Sequence, residues 1–249
     1  MRTVAHLSDL HFGRIDAPVL DALRRRLAGL APDLVVVSGD LTQRARRREF
    51  REARAYLDTL PKPQLVVPGN HDVPLYDVFQ RFFRPLARYQ GIIAGEVEPA
   101  FVDEELAVVG VNTARALALK GGRIGEKQLA RVRETLCRCG GEVTKIVVTH
   151  HPLELRGCGA DVLLCGHHHA AHAGPALAPP GAPGPSALVV QAGTATSKRR
   201  RGEPNSFNLL RIVPRRIEVV AYVLEGGDFA GAATQAFEHR GGIWVRGCA

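Results

Sequence analysis

The stretch QLVVPGNHDVP, residues 64–74, decides the fold class of this chain. Its apolar run at 64–68 predicts a buried strand. The run ends at a glycine, and Asn70, His71 and Asp72 follow directly, so an amide, an imidazole and a carboxylate stand in a row. In open α/β sheets ligands bind at the carboxyl ends of the strands, so this stretch indicates a binding site at a sheet edge.

Four other apolar runs end in the same kinds of residue. The polar residues at their ends are Asp9 and His11, then Asp40, then His150 and His151, and finally His167, His168 and His169. Because the carboxyl ends of neighbouring strands lie side by side, we expect these residues to converge on one site. Asp9 and His11 are separated by one residue, so an extended backbone would turn both side chains toward the same side. His167 and His169 share that spacing.

Apolar runs that alternate with amphipathic stretches predict an α/β protein. The predicted helices cover 16–30, 45–60, 76–89 and 126–136. The predicted strands cover 3–8, 33–39, 64–68, 106–112, 145–150, 161–166, 188–193, 207–212, 217–224 and 242–246. The first half favours a largely parallel sheet, and one domain over 1–249 with two facing sheets accommodates the strand-rich second half.

Three further stretches carry expectations of their own. In the predicted helix 76–89 the residues expected to face inward are Phe79, Phe82, Phe83 and Leu86. The Ala/Pro/Gly-rich segment 170–186 predicts an exposed loop. The stretch 110–125 predicts a long loop between a strand and a helix, and long loops in compact domains are often functional.

Composition limits the classes of protein and partner. Hydrophobic residues make up 45% and charged residues 23% of 249 residues, which is typical of a globular protein. The net charge of +8 fits an anionic partner such as a phosphate ester, a nucleotide or nucleic acid, or reflects only an arginine-rich composition. Five cysteines without a signal-peptide pattern argue against a disulfide framework. With no apolar run near the ~18 residues of a membrane span, the sequence predicts a cytoplasmic protein.

The polar strand ends form a metal-ligand set. Carboxylates, imidazoles and an amide together suit borderline divalent ions such as Mn²⁺, Fe²⁺ or Zn²⁺, and differ from the cysteine ligands of structural zinc sites. There are enough such residues for two ions. Asp40 has two oxygen atoms and can bridge both.

The order of these motifs resembles that of the calcineurin-like metallophosphoesterase superfamily. Its blocks D-x-H, GD, GNHD, a separate H and GH-x-H stand here at 9–11, 39–40, 69–72, 150 and 166–169. Five blocks in the right order are a far stronger signal than any one of them. The resemblance implies an α/β fold with four layers, a sandwich of two central mixed β-sheets between outer layers of helices.

The same resemblance implies roles for individual residues. One ion is held by Asp9, His11, Asp40 and His169. The second ion is held by Asp40, Asn70, His150 and His167. His71 is the catalytic imidazole, and Asp72 is its expected partner, against the alternative that Asp72 caps its own turn. The implied cofactors are two divalent metal ions, Mn²⁺ and/or iron as Fe²⁺ or Fe³⁺, with Zn²⁺ as another choice.

The implied reaction is hydrolysis of a phosphoester. Two ions lower the pKa of a bridging water, and the resulting hydroxide attacks phosphorus in line with the leaving oxygen. His71 contacts the phosphate or protonates the leaving oxygen. Arg14, Asn70 and His71 are the candidate substrate-binding residues. The basic segment 197–207 either lines the site or is a solvated turn.

The stretches SDLHFGR, GDLTQRARRREF and VPGNHDVP resemble the branch that contains class III cyclic-nucleotide phosphodiesterases. The first hypothesis is therefore a phosphodiesterase for a small, nucleotide-like phosphoester. Alternatives are a DNA-repair nuclease, a phosphomonoesterase or pyrophosphohydrolase of the same superfamily and, last, a non-catalytic scaffold. Nucleic acid is a less favoured partner than a small phosphoester, and the oligomeric state stays open.

Several histidines have a simpler interpretation. His6 lies within the first strand and is expected to be a core histidine. His151 and His168 alternate with the candidate ligands and are expected to point away from the ions. His172 is expected to lie in a loop.

Overall fold

The computed structural model describes residues 1–116, 121–153, 158–176, 187–198 and 202–247. Within these residues the helices are α1 (Ala17–Leu30), α2 (Arg47–Leu57), α3 (Val78–Phe83), α4 (Ala87–Ile92) and α5 (Glu126–Cys137). The strands are β1 (Arg2–Leu7), β2 (Leu34–Ser38), β3 (Gln64–Val67), β4 (Ala100–Val102), β5 (Leu106–Gly110), β6 (Thr144–Val148), β7 (Val162–Cys165), β8 (His172–Pro175), β9 (Leu188–Gln191), β10 (Ser206–Val213), β11 (Arg216–Glu225), β12 (Asp228–Arg240) and β13 (Ile243–Arg246).

The strands form two mixed sheets. The first sheet has seven strands in the order β13-β12-β11-β10-β1-β2-β3, and the second has six in the order β4-β5-β6-β7-β9-β8. Parallel pairing joins β1, β2 and β3 in the first sheet, and β5, β6, β7 and β9 in the second. The five strands that end in the candidate ligands, namely β1, β2, β3, β6 and β7, are therefore all in parallel segments.

Alternating side chains on each strand produce the layers. On β2, Leu34 and Val36 pack in a core shared with the second sheet, whereas Val35 and Val37 pack against helices. Both faces of β2 are thus buried, which is why its sequence is a continuous apolar run. Helices α1 and α2 cover the outer face of the first sheet, and α5 covers the outer face of the second. This arrangement confirms the predicted four-layer α/β/β/α sandwich.

The prediction of a single helix at 76–89 is wrong. The chain forms two short helices there, α3 and α4, separated at Pro85, since a proline disfavours helical geometry in the residue before it. Leu86 is buried as expected, but Phe79, Phe82 and Phe83 are exposed. The inward face assigned to these three aromatic residues is therefore also wrong.

Three strands of the structure were not predicted from the sequence. Strand β12 is rich in alanine and has Thr234 as its only β-branched residue, yet it pairs with β11 along almost its whole length. Strand β4 is short, and β8 lies inside the segment predicted to be a loop at 170–186. His172 therefore begins a strand and not a loop, while 177–186 lies outside the described residues.

No helix in the described parts of the chain is long and apolar enough to cross a membrane. The four cysteines that the structure describes, Cys137, Cys139, Cys158 and Cys165, are free thiols.

Leu164 tests the core between the two sheets. It is fully buried on β7, so Leu164→Ala should lower the free energy of unfolding by about 2–5 kcal/mol through lost burial and a residual cavity. Val102→Ala on strand β4 is the control, because Val102 is 53% exposed and its truncation should change stability by less than about 0.5 kcal/mol. Urea unfolding measures both, and equal losses would contradict the assigned layers.

Candidate metal centre

The ends of β1, β2 and β7 bring together the first group of candidate ligands. Asp9 Oδ1 lies 3.4 Å from His11 Nε2 and 3.2 Å from His169 Nε2. The two imidazole nitrogens are 3.4 Å apart, and Asp40 Oδ2 is 3.8 Å from His11 Nε2. Donor atoms of Asp9, His11 and His169 thus form one group that Asp40 Oδ2 adjoins at His11, and these are the four residues that the resemblance implied for a first ion.

A second group forms around the other oxygen of Asp40. His150 Nε2 lies 3.3 Å from Asp40 Oδ1 and 3.1 Å from Asn70 Oδ1. His167 Nδ1 lies 3.1 Å from Asn70 Oδ1 and 3.3 Å from His150 Nε2. Asp40 therefore presents one oxygen to each group, which brings the two groups next to each other.

The donor atoms fit cations. Asp9 Oδ1 is buried and accepts no well-directed hydrogen bond, whereas Asp9 Oδ2 accepts one from Ser8 Oγ at 2.6 Å and one from the His167 N–H at 3.1 Å. A buried carboxylate oxygen left in this state needs a cation nearby. His150 Nδ1 lies 2.8 Å from the Ser38 carbonyl oxygen, which can only accept, so Nδ1 donates. Nε2 would present its lone pair to the group once it has lost its proton, as a metal ligand must.

The buried charges also shift each other's protonation. Burial alone would raise the pKa of Asp40, but the charge of His150 and the hydrogen bond from it hold that pKa below its usual value. Burial opposes the charge of His150, and Asp40 nevertheless raises the His150 pKa to about 9. The protein thus keeps Asp40 ionised at neutral pH, as a ligand carboxylate must be.

An unusual backbone conformation brings the ligands together. Five of the seven candidates have positive φ angles, namely Asp9 (54°), His11 (50°), Asp40 (54°), His167 (73°) and His169 (61°). The extended backbone expected at 9–11 and 167–169 is therefore wrong, although Asp9 and His11 do reach the same group. Left-handed conformations cost about 1–3 kcal/mol each and collect at functional sites, where surrounding contacts hold them in place.

Two motif glycines leave room for ligand loops. A Cβ atom at Gly69 would lie 2.2 Å from Asp40 Oδ1 and 2.3 Å from the Asp40 backbone nitrogen. A Cβ atom at Gly166 would lie 1.8 Å from Ser8 Oγ, the donor to Asp9. Each glycine is thus required by the close approach of a different strand end.

His71 lies at the rim of the first group. Its ring is half-buried and stands edge-on to the His11 ring, with the ring centroids 4.9 Å apart. The His71 backbone N–H donates to Asp40 Oδ1 at 2.9 Å, and His71 Nδ1 lies 2.9 Å from the Gln43 carbonyl oxygen. A backbone carbonyl of the loop after β2 therefore orients this imidazole.

The hydrogen bonds of Asp72 fit the turn-capping alternative, and its place among the catalytic residues stays a prediction. Asp72 Oδ1 accepts hydrogen bonds from the Thr42 backbone and hydroxyl, each at 2.9 Å. Asp72 Oδ2 accepts them from Gly69 at 2.9 Å and Leu41 at 3.2 Å. Burial and the neighbouring Asp40 charge raise the Asp72 pKa to about 6. Asp72 therefore joins the ends of β2 and β3, because Leu41 and Thr42 follow β2 and Gly69 follows β3.

His151 was expected to point away, and the structure contradicts this. It is buried, and its ligand atom lies within 4.8 Å of those of His150 and His167. The His151 and His167 ring centroids are 4.5 Å apart, and His151 Nδ1 is 2.8 Å from Thr113 Oγ1. Burial lowers the His151 pKa to about 3, so the ring is neutral at pH 7. The sequence offered only adjacency to His150 as a signal.

The remaining predicted residues lie outside the two groups. His168 is exposed, and among the described residues it belongs to no group of candidate ligands. His6 is buried in β1 with Nε2 2.9 Å from Ser38 Oγ, as expected of a core histidine. Arg14 is exposed, and its carbonyl oxygen accepts from the Lys198 N–H at 2.9 Å. Its binding to substrate stays a prediction, and residues 199–201 of the basic segment lie outside the described part of the chain.

Comparison with known families assigns the chain to a class. A model of the calcineurin-like phosphoesterase family matches residues 2–171, and the chain belongs to that family, which confirms the resemblance of its motifs. Glycerophosphodiester phosphodiesterase GpdQ of Enterobacter lignolyticus is 31% identical over 177 residues, which are 67% of this chain and 63% of GpdQ. The 3',5'-cyclic adenosine monophosphate phosphodiesterase CpdA of Escherichia coli strain K12 is 25% identical over 161 residues, 55% of this chain and 54% of CpdA. The chain thus spans less than two thirds of each relative.

Solved structures support the fold alone. A purple acid phosphatase from yellow lupin superimposes with a TM-score of 0.69 at 11% identity, over 94% of this chain and 53% of its own. Vps29 of Chaetomium thermophilum superimposes with a TM-score of 0.51 at 13% identity, over 95% of this chain and 97% of its own.

Gly69→Ala tests the close approach of the β2 and β3 ends. The added methyl group must displace Asp40, so we expect the free energy of unfolding to fall by about 1–3 kcal/mol. Gly91→Ala in α4 is the control, because no atom lies within 4 Å of its Cβ position and alanine favours a helix. Urea unfolding without added metal measures both variants. A Gly69→Ala protein as stable as the parent would contradict the geometry around Asp40.

Proposed function

We propose that this chain is a dinuclear-metal phosphoesterase that hydrolyses the phosphodiester bond of a small, nucleotide-like substrate. The observation that carries the proposal is the position of Asp40, whose two oxygens face two adjacent groups of nitrogen and oxygen donors. That arrangement suits a pair of cations a few ångströms apart, as in enzymes that stabilise both oxygens of an in-line displacement.

The ligand assignment follows the two groups. Asp9, His11, Asp40 and His169 would hold one ion, and Asp40, Asn70, His150 and His167 would hold the other. When bound, two divalent cations supply Lewis acidity, lowering the pKa of a water and neutralising charge on the phosphate oxygens. Mn²⁺ and iron are the proposed metals, because carboxylate, imidazole and amide ligands suit borderline divalent ions.

His71 is proposed to act on the leaving oxygen. The Gln43 carbonyl accepts from Nδ1, so Nε2 is the nitrogen proposed to face the substrate. In the protonated imidazole, Nε2 transfers its proton to the leaving oxygen as the P–O bond breaks, and the ring becomes neutral. Asn70 and Arg14 are proposed to contact the phosphate, Asn70 beside the second ion and Arg14 from the loop after β1.

The choice of a diester rests on the relatives. GpdQ and CpdA are named for glycerophosphodiesters and for cyclic adenosine monophosphate, both of which are phosphodiesters. A nuclease is the second candidate, because the net charge of +8 would attract a polyanion. A substrate panel separates these functions. With Mn²⁺ added, we expect bis-p-nitrophenyl phosphate and a cyclic nucleotide or glycerophosphodiester to be hydrolysed faster than p-nitrophenyl phosphate or single-stranded DNA.

Substitutions of Asn70 and His71 are expected to affect metal binding and turnover differently. Asn70→Ala should lose one of two bound Mn²⁺ ions and most diester hydrolysis, because it removes a ligand. His71→Ala should keep both ions and lose about 10²–10⁴ in kcat, because it removes only a proton donor. Metal content by mass spectrometry and steady-state kinetics measure the two effects.

His172→Ala is the control for both variants. His172 is exposed on β8, and within the described residues it joins no group of candidate ligands. It should match the parent in metal content and rate. If Asn70→Ala and His71→Ala both hydrolyse diesters as fast as the parent, the proposed function is wrong.

A further inference from the structure

An apolar ridge lies next to the candidate metal centre. We define it as the exposed large apolar residues of the nine-residue stretch 75–83, namely Leu75, Tyr76, Val78, Phe79, Phe82 and Phe83. Phe79 and Phe83 are 75% and 72% exposed, and their ring centroids are 4.7 Å apart. In the described residues only Met1, Val102 and Ile243 are comparable elsewhere. A contiguous exposed apolar patch of this kind marks an interaction site.

The ridge is held outward by polar contacts beneath it. Arg81 is buried, and its guanidinium donates to the Pro74 carbonyl oxygen at 2.9 Å. Arg88 donates to Asp77 Oδ2 at 2.7 Å, which ties the start of α3 to α4. Helix α3 therefore buries its arginine and exposes its phenylalanines, the reverse of an ordinary surface helix. This inversion also explains why the sequence pattern at 76–89 predicted the wrong inner face.

Arginine-rich segments lie next to the ridge. Six arginines against two glutamates at 44–54, and three arginines against one aspartate at 75–90, account for +6 of the net charge of +8. The two segments are in contact, because the Arg44 guanidinium lies 5.4 Å from the centre of the Tyr76 ring. Arg47 is among the arginines of α2 that face solvent. Apolar and cationic groups therefore share one face of the protein.

We propose that the apolar ridge and the arginine-rich segment 44–54 dock onto an anionic lipid surface. Aromatic and aliphatic side chains flanked by arginines are the combination that inserts into lipid headgroups, with electrostatic attraction to anionic lipids. Leu75 and Val78 favour lipid over single-stranded nucleic acid, whose bases stack on aromatic rings. A two-fold dimer through this face would bring like-charged arginines together, which disfavours a second copy as the occupant.

Docking on this face would place the metal centre near the headgroups. Leu75 comes three residues after Asp72, and three residues span at most about 11 Å. The proposal does not depend on the phosphoesterase assignment, because lipid binding is measured without substrate or turnover.

Vesicle co-sedimentation of the full chain tests the proposal. We expect binding to vesicles of phosphatidylcholine and phosphatidylglycerol in equal parts to be about tenfold stronger than to phosphatidylcholine alone, and to weaken with salt. Phe79→Ser/Phe83→Ser should weaken binding to the anionic vesicles by at least about tenfold. Arg47→Glu/Arg48→Glu should do the same, because each basic residue near an anionic surface contributes about fivefold.

Matched controls change the same chemistry elsewhere on the surface. Val102→Ser/Ile243→Ser removes two exposed apolar residues, and Arg138→Glu/Arg240→Glu reverses two exposed arginines. Both controls should bind anionic vesicles as the parent does, and circular dichroism checks that every variant is folded.

Any one of several results would overturn the proposal. They are no binding of the parent to anionic vesicles, undiminished binding by the Phe79→Ser/Phe83→Ser variant, equal losses in the control variants, and a parent oligomer that this variant converts to monomers without any lipid binding. The proposal would likewise be overturned if the protein bound single-stranded DNA through the same residues and did not bind vesicles.

Discussion

The sharing of one buried carboxylate between two groups of donors is the constraint on which the rest of the site depends. Asp40 can face both groups only because its backbone is left-handed and because Gly69 has no side chain to fill the space beside it. Its charge is stabilised by His150 and by the backbone N–H of His71. Asp72 accepts hydrogen bonds from the loops after β2 and β3, so this one residue joins the ends of both strands.

The two sheets supply the rigidity that such strained loops need. Parallel strands buried on both faces leave their carboxyl ends as the one place where polar side chains can stand beside a packed core. The core between the sheets joins β2 to β6 and β7, so donors from distant parts of the sequence are held next to one another. Proteins of one fold can carry different functions on such a frame, so the function of each depends on its site.

Predictions from the sequence were correct where they depended on neighbouring residues and wrong where they depended on contacts between distant segments. The buried strands, the candidate ligands at their ends and the four layers followed from apolar runs and motif order. The partners of Asp72 and His71 did not, because Leu41, Thr42 and Gln43 come close only when β2 and β3 pair. His151 was misplaced because alternation assumes an extended strand, and helix α3 because amphipathic reasoning places phenylalanine inside and arginine outside.

The sequence by itself determined the family, through the order of its motifs, and the types of ligand atom, through residue identity. The four-layer architecture was implied by the resemblance to that family. Only the tertiary structure decided which ligands share a group, which carbonyl orients each imidazole and which aromatic residues face solvent. Those properties depend on contacts between residues about 30 to 160 positions apart, such as Asp40 with His71 and Asp9 with His169. Such contacts are set by the packing of both sheets, and no local pattern of side chains encodes them.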